Sequence, residues 1–461
     1  MGEAKSYFFC GIGGSGMLPL ALIVQGRGDA VAGSDRTLDQ GRLAAKFEFL
    51  KGRGIDLFPQ DGSGITSAGQ IVVTSAAIEP TVPDVVKADE IGARRITRPQ
   101  LLAQLFNAAG TGIAVGGTSG KSTVTGMIGW ILHAAGGDPT VMNGAVMKNF
   151  VSGDAPFASA LVGAGDAFVS EVDESDGSIA LYRPDVAVLN NISLDHKSLD
   201  ELRHLFGDFA AKAGTVVLNL DDNETRFLAA ALPPDRLRSY SFEDPNANLP
   251  GADIVEQPFA ISFTARGLPV NLRIPGRHNA ENALAALAAC EAVGVPLDEA
   301  AAALSGFTGL RRRFEKVGEA NGVTVIDDFG HNPDKIAATL RTLHAFPGRL
   351  LLFFQPHGYG PLKTMKEELI ACFAKEMAAG DLLIMADPVY YGGTASREVG
   401  SDDIIAGVAG HGRWAEHIPD RQGCAERLVA LARPGDRIAV MGARDDTLTC
   451  FAEELVERLP A

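Results

Sequence analysis

Short apolar runs recur along this 461-residue chain, separated by stretches long enough to form helices. Residues 7–10, 71–75, 112–115, 186–189, 216–218, 323–327, 350–354, 382–386 and 438–442 are such runs. They lack the polar alternation of a half-exposed strand, which predicts strands covered on both faces, as in parallel sheets flanked by helices. Several run straight into polar residues: Ser170-Glu171, Asn190-Asn191, Asn219 and Asp327-Asp328. Ligands of open α/β sheets bind beyond the carboxyl ends of the strands, so these positions are candidates for chemistry.

The pattern divides into three blocks and predicts three α/β domains, residues 1–108, 109–307 and 308–461. In the first, the strand at 7–10 leads into Gly11-Ile12-Gly13-Gly14-Ser15-Gly16, then a helix through 22–24 and a strand ending at Ser34-Asp35. This satisfies G-x-G-x-x-G with an acidic residue about 20 positions on, a Rossmann-like fingerprint. A strand ending at Ser75 and a basic turn at Arg94-Arg95 continue the alternation. The second block reads as a P-loop ATPase-type parallel sheet. A polar patch at 242–251 precedes two alternating strands, which predict a small antiparallel edge, and an alanine-rich helix from Asn279 closes the block. The third reads as a second Rossmann-like, doubly wound unit.

The second block holds the most specific motif, Val115-Gly116-Gly117-Thr118-Ser119-Gly120-Lys121-Ser122-Thr123. Strand, glycine turn and helix form a cradle for a polyphosphate: backbone N–H groups and the helix N-terminus supply positive potential, and Lys121 adds a full charge. Ser122 is placed to ligate the Mg²⁺ that accompanies a nucleotide. Val115 stands where the general P-loop pattern has glycine, but the shorter G-T-S-G-K-S form is intact.

Composition narrows the function classes. A net charge of −16 argues against a nucleic-acid or anionic-membrane surface, which needs a basic face. Five scattered cysteines without C-x-x-C spacing read as reduced thiols, not a disulfide or zinc framework. With no signal peptide and no apolar run of membrane-spanning length, a soluble cytoplasmic protein is expected.

The remaining candidates sit at strand or helix ends. Glu171, in Glu171-Val172-Asp173-Glu174-Ser175-Asp176, is placed to hold a metal beside the P-loop. His196, in N-N-I-S-L-D-H, follows another strand and is a second candidate ligand. His278, Asn279 and Asn282 begin the alanine-rich helix. Asn279 could cap it, and with Asn282 three residues on it could read a base edge. Arg313 ends a three-arginine run and could neutralise charge on a transferring phosphoryl group. Asp328 and His331 follow in Asp327-Asp328-Phe329-Gly330-His331-Asn332-Pro333.

Taken in order, G-T-S-G-K-S, E-V-D-E-S-D, N-N-I-S-L-D-H, G-R-H-N-A-E-N-A, L-R-R-R-F and D-D-F-G-H-N-P resemble the Mur ligases of peptidoglycan synthesis over essentially the whole chain. The G-I-G-G-S-G-M opening and the E-x-D-E-S-D form are most similar to the branch that adds L-alanine to UDP-N-acetylmuramate. The branch that attaches a murein tripeptide is next. The resemblance implies an ATP-dependent amide ligase in which a lactyl carboxylate attacks the γ-phosphate of ATP. An acyl phosphate and ADP form, and the amine of an amino acid then displaces phosphate. It further implies that Gly13, Gly14, Ser15 and Gly16 approach the pyrophosphate of the nucleotide sugar, with Asp35 and Ser75 near its nucleoside or sugar. Residues 117–123 would hold ATP, and Ser122 and Glu171 one Mg²⁺, with His196 at a second. His278, Asn279 and Asn282 would contact adenine, and Arg313 and Asp328 the phosphates and ribose. His331 would position the amino acid or acyl phosphate. The expected assembly is a monomer or homodimer.

The third block departs from the L-alanine branch. Where that branch has Q-P-H-R-Y-S-R, with arginines expected on the amino-acid carboxylate, this chain reads Gln355-Pro356-His357-Gly358-Tyr359-Gly360-Pro361-Leu362-Lys363. G-H-H-P has become Gly330-His331-Asn332-Pro333, and G-A-G-D has become Gly442-Ala443-Arg444-Asp445. Lys363, Arg397 or Arg444 is expected to supply the carboxylate contact near His357, and the acceptor need not be L-alanine. Two other readings compete. An NAD-dependent oxidoreductase accounts for the first block alone. A catalytically silent nucleotide-binding homologue leaves Lys121, Ser122, Glu171 and His196 without a purpose.

Overall fold

A computed structural model describes residues 4–76, 78–193, 198–389, 397–443, 445 and 447–460. Its strands form three sheets, one for each block of the sequence. The first has strand order Asp56–Phe58, Ala30–Ser34, Ser6–Cys10, Gln70–Thr74, Arg94–Thr97, with every neighbouring pair parallel. Arg94 and Arg95 therefore open an edge strand, where the sequence suggests a turn. An exposed edge tolerates charged side chains, so the apolar signal used to find strands is missing there.

The second sheet is centred on Thr111–Gly116. Val186–Leu189 and Thr215–Asn219 lie in parallel to one side, and Ala167–Glu171 and Thr140–Met142 to the other. Ala160–Leu161 adds an antiparallel edge. At the opposite edge follow Leu237–Ser241, Leu249–Gln257, Ala260–Ala265 and Leu268–Leu272. The last three neighbour one another through two-residue loops, which only antiparallel strands can use.

The third sheet has order Glu315–Ala320, Val323–Asp328, Arg437–Gly442, Leu350–Gln355, Leu382–Met385, Trp414–His417, parallel except at its first strand. Alternate residues feed two separate apolar clusters. Leu350, Leu352 and Phe354 join one, and Leu351 and Phe353 the other. Continuous apolar runs are the sequence signature of that double cover.

The chain gathers into two compact units. One comprises Met1–Asp253, Phe263–Asn271 and Ala280–Thr308, the other Ile254–Ser262, Leu272–Asn279 and Gly309–Ala461. Within the first, the two leading blocks share one apolar cluster, although each is long enough to bury a core of its own. Phe106 closes the helix Arg98–Asn107 of the first block. It meets Phe168 of the second at 5.7 Å and Tyr182 at 5.1 Å between ring centroids, edge to face. Such aromatic pairs contribute about 0.5–1.5 kcal/mol each beyond area burial.

Within the second unit, Arg312 is turned inward by a tight bend. Arg312 and Phe314 both take positive φ, 59° and 48°, and Phe314 N–H donates to Asp328 Oδ2 at 2.8 Å. The Arg312 guanidinium meets Asp327 at 3.3 Å and donates to the carbonyls of Gly442 and Asp445. Burial pushes the Asp327 carboxyl up to about 6, against the pull of Arg312. Arg312→Met, keeping the volume but removing the charge, should cost about 3–5 kcal/mol at pH 8, because Asp327 is left buried and unpaired. A carboxyl raised on folding binds more protons folded than unfolded, and without the downward pull of Arg312 it is raised further, so part of the loss should return as the pH falls from 8 to 5. Urea midpoints of the variant at pH 8 and 5 test this.

Candidate functional site

In the first unit, the glycine turn Gly11–Gly16 lies at the end of strand Ser6–Cys10, and the helix Met17–Gly26 follows it. Ser75 follows the adjacent parallel strand Gln70–Thr74, so both reach the same edge of the sheet. Gly14 and Ser15 are exposed. Asp35 is buried and spends its oxygens on order: Oδ2 accepts from Gly13 N–H and Oδ1 from Thr37 N–H, each at 2.8 Å. The acidic residue of the fingerprint thus braces the glycine turn here.

The P-loop is assembled as its sequence predicts. Strand Thr111–Gly116 leads into Gly117, and helix Lys121–Ala134 starts at once after Gly120. Gly120 has φ +85°, and a Cβ there would lie 2.4 Å from Asn282 Oδ1 and 2.7 Å from Asn190 Nδ2, so glycine is required on both counts. Asn190 Nδ2 donates to Asn282 Oδ1 at 3.1 Å beneath this turn. Asn191 clamps the loop from the neighbouring strand end, its Oδ1 accepting from Ser119 N–H at 2.8 Å and its carbonyl from Thr118 N–H at 3.1 Å. Thr118 and Thr123 are buried, whereas Ser119, Lys121 and Ser122 are half-buried and face the turn.

Two carboxylates converge on it. Ser122 Oγ donates to Glu171 Oε2 at 2.7 Å, and Lys121 Nζ lies 2.7 Å from Glu174 Oε2 and 2.8 Å from the Gly117 carbonyl. Asn143, fully buried, fixes the start of the helix by donating to the Ser122 carbonyl. Glu174, Asn143 and Asn190 were not singled out as site residues. Their signal, a polar residue at a strand end, was present but shared by many neighbours. Among the described residues no group of three or more His, Cys, Asp or Glu side chains could hold a metal unaided. His196 lies outside the described residues.

The helix Arg277–Ala292 begins two residues before Asn279. Asn279 is therefore inside the helix and does not cap it. Its Nδ2 instead donates to the Pro275 carbonyl at 2.6 Å. Asn279 and Asn282 are both buried, and His278 is exposed.

In the second unit, the structure brings Arg313, His331 and His357 into one row. The Arg313 guanidinium lies 4.2 Å above the Phe329 ring, Phe329 meets His331 edge to face at 5.5 Å, and His331 meets His357 at 5.3 Å. The row follows the ends of strands Val323–Asp328 and Leu350–Gln355. Asp328 stands behind it, accepting from Phe314 N–H, Gly330 N–H and the Thr339 hydroxyl. Two residues past His357 the helix Tyr359–Thr364 begins. Arg397 lies 5.6 Å over the Tyr359 ring, and Lys363 pairs with Glu398 at 2.5 Å. Arg444 lies outside the described residues. Arg421, absent from the sequence reading, donates to Gln355 Oε1 and Thr447 Oγ1 and pairs with Asp445, between the ends of Leu350–Gln355 and Arg437–Gly442.

Three family models match the chain: Mur ligase family, catalytic domain, over residues 6–109; Mur ligase middle domain over 115–290; and Mur ligase, glutamate ligase domain, over 312–444. A UDP-N-acetylmuramate–L-alanine ligase of Mycolicibacterium vanbaalenii is 36% identical, covering 97% of this chain and 95% of that protein. Another of that name, from Jannaschia sp., is 35% identical over 99% of this chain and 96% of its own length. Among solved structures, a UDP-N-acetylmuramate–alanine ligase from Thermotoga maritima superposes with a TM-score of 0.79, at 22% identity over 98% of both chains. A murein peptide ligase from Psychrobacter arcticus gives 0.72 at 24% identity over 99% of both. These structures share the three-domain α/β fold.

His331 Nδ1 faces the Phe329 carbonyl at 3.0 Å, which makes Nδ1 the donor and leaves Nε2 as an acceptor. Burial, with Lys335, His357 and Arg313 nearby, pushes the imidazole down to about 3, so it is neutral at pH 7. The unfolded chain, with an ordinary value of about 6.5, binds more protons below that pH. Stability is therefore full above about 6.5 and is lost as pH falls towards 3. His331→Gln, which cannot protonate, should lose less thermal stability than the parent between pH 7 and 4. Equal acid slopes would remove His331 from this role.

Proposed function

The chain belongs to the Mur ligase family, and from that premise we propose that it is an ATP-dependent amide ligase, joining an amino acid to the lactyl carboxylate of UDP-N-acetylmuramate. The observation that carries this reading is the P-loop with Lys121 and the Ser122–Glu171 pair in place, in a chain 36% identical over 97% of its length to an enzyme named for that reaction.

We assign the nucleotide sugar to residues 1–108, ATP to 109–307 and the amino acid to 308–461. A carboxylate attacking a triphosphate brings like charges together, and the uncatalysed encounter is repulsive. Lys121 counters that charge from the P-loop, while the N–H groups of residues 117–123 hold the phosphates. Ser122 and Glu171 form a pair of hard oxygen donors 2.7 Å apart. The pair suits Mg²⁺, which takes one or two protein ligands and completes its shell with phosphate and water. Mg²⁺ held there would neutralise phosphate charge, and His196 would complete a second site. Asp35 orders the glycine turn so that Gly13, Gly14, Ser15 and Gly16 present backbone to a pyrophosphate, beside Ser75. His278, Asn279 and Asn282 are assigned to the adenine side and Asp328 to the ribose side. Arg313 is assigned to the phosphates, and neutral His331 offers Nε2 as an acceptor to an incoming ammonium or amine.

A second reading, an acceptor other than L-alanine, is favoured by Gly358. It has φ +140°, a backbone conformation that L side chains rarely adopt, so an arginine could not stand there without strain. We place the acceptor carboxylate near His357, with Arg397, Lys363 or Arg444 as its cation. Lysine would be the looser partner because it lacks a bidentate fork.

Phosphate release from ATP, with UDP-N-acetylmuramate and a panel of amino acids and short peptides, tests both readings. Turnover with at least one acceptor is expected, and silence across the panel would sink the ligase assignment. Lys121→Ala should lower kcat by about 100- to 1,000-fold, as loss of one transition-state charge contact does. Arg397→Ala should raise KM for the accepted amino acid without changing KM for ATP. An unchanged acceptor KM would eliminate Arg397.

A further inference from the structure

Arg98 is the first residue of the helix Arg98–Asn107, directly after its capping residue Thr97. Its side chain lies across the last glycine of the turn. A Cβ built on Gly16 would sit 3.1 Å from Arg98 Cδ and 3.4 Å from both Nε and Nη1. The far side of the same guanidinium faces Asp176 in the acidic loop, Nη2 to Oδ2, at 3.7 Å, too long for a hydrogen bond. Asp176 Oδ1 meanwhile accepts from Ser178 N–H at 2.8 Å. Arg98 is thus the charged link between the turn assigned to the nucleotide sugar and the loop whose Glu174 holds Lys121.

Its donors are the unusual feature. Only 25% of the side chain is exposed, yet among the described residues the guanidinium forms no hydrogen bond, only that loose contact. An arginine carries five N–H donors in a fixed fork, and none of those of Arg98 is a buried atom without a partner, so the fork stays accessible to a ligand. The guanidinium lies against Gly16, the residue before the helix Met17–Gly26, whose N-terminus adds positive potential. A carboxylate or phosphate oxygen is the acceptor that matches this geometry.

We propose that Arg98 is a substrate-binding residue whose guanidinium takes an anionic group of the nucleotide sugar and sets that group between the glycine turn and the acidic loop. Asp176 keeps the guanidinium in place through a contact weak enough to be exchanged. The inference rests on the assignment of residues 1–108 to the nucleotide sugar. The pyrophosphate and the lactyl carboxylate share the chemistry that Arg98 recognises.

Calorimetric titration of the full chain with UDP, UDP-N-acetylglucosamine and UDP-N-acetylmuramate separates the cases. Arg98→Ala should weaken binding about 10- to 100-fold, with the melting temperature and KM for ATP little changed. Arg98→Lys should recover part of the loss, since a point charge replaces the fork. Weakening shared by all three ligands assigns the pyrophosphate, and weakening confined to UDP-N-acetylmuramate assigns the carboxylate. If both variants bind all three ligands as the parent does, whether or not they melt earlier, the proposal is overturned. A parent chain that binds none of them overturns the nucleotide-sugar assignment instead.

Discussion

The ammonium of Lys121 is the charge on which the first unit is organised. It sits between the Gly117 carbonyl and Glu174, in a chain whose net charge is −16. A lysine at the mouth of a glycine turn needs negative company when no phosphate is bound, and Glu174, 5% exposed, provides it. A nucleotide must outcompete that carboxylate. Glu171 plays a parallel part for Ser122, so each chemical residue of the P-loop is held by one member of the same six-residue acidic segment. The strand Ala167–Glu171 fixes where that segment starts, and it pairs directly with the P-loop strand. Sheet register therefore sets the distance between phosphate cradle and acid.

The sequence was most legible where a strand is buried on both faces. Val323–Asp328, Leu350–Gln355, Leu382–Met385 and Arg437–Gly442 all stand within a residue or so of their apolar runs. Asp56–Phe58, Arg94–Thr97, Glu315–Ala320 and Trp414–His417 left little trace, because each is at or near a sheet edge, where polar side chains are tolerated. Contacts that join residues distant in sequence were equally hidden. Nothing in the run Arg311–Arg313 shows that Arg312 turns inward to Asp327 while Arg313 stacks on Phe329. The positive φ of Arg312 and Phe314 separates the two, and non-glycine residues give no sequence sign of it.

The candidate site was legible as motifs and less so as roles. The P-loop and Glu171 meet within the first unit, and Arg313, His331 and His357 form a row within the second. Asp35, Asp328 and Asn279 spend side-chain atoms on neighbouring backbone. Polar residues that shape a loop and polar residues that touch a ligand occupy the same strand ends. Asp35 shows the shaping part in its bonds to the Gly13 and Thr37 N–H groups.

The ring of Phe106 has a consequence for how such a protein can change over time. Because it completes a core with Phe168 and Tyr182, the leading block is not a detachable cassette. A cut at the boundary near residue 108 would leave a fully buried aromatic exposed on one fragment and an unfilled socket on the other. The leading block and its neighbour must then be inherited and altered as a pair. The third sheet carries two apolar clusters of its own, and Phe259 of the middle block packs against one of them. The motifs that depart from the Mur pattern gather in that last block, around Gly358 and Lys363.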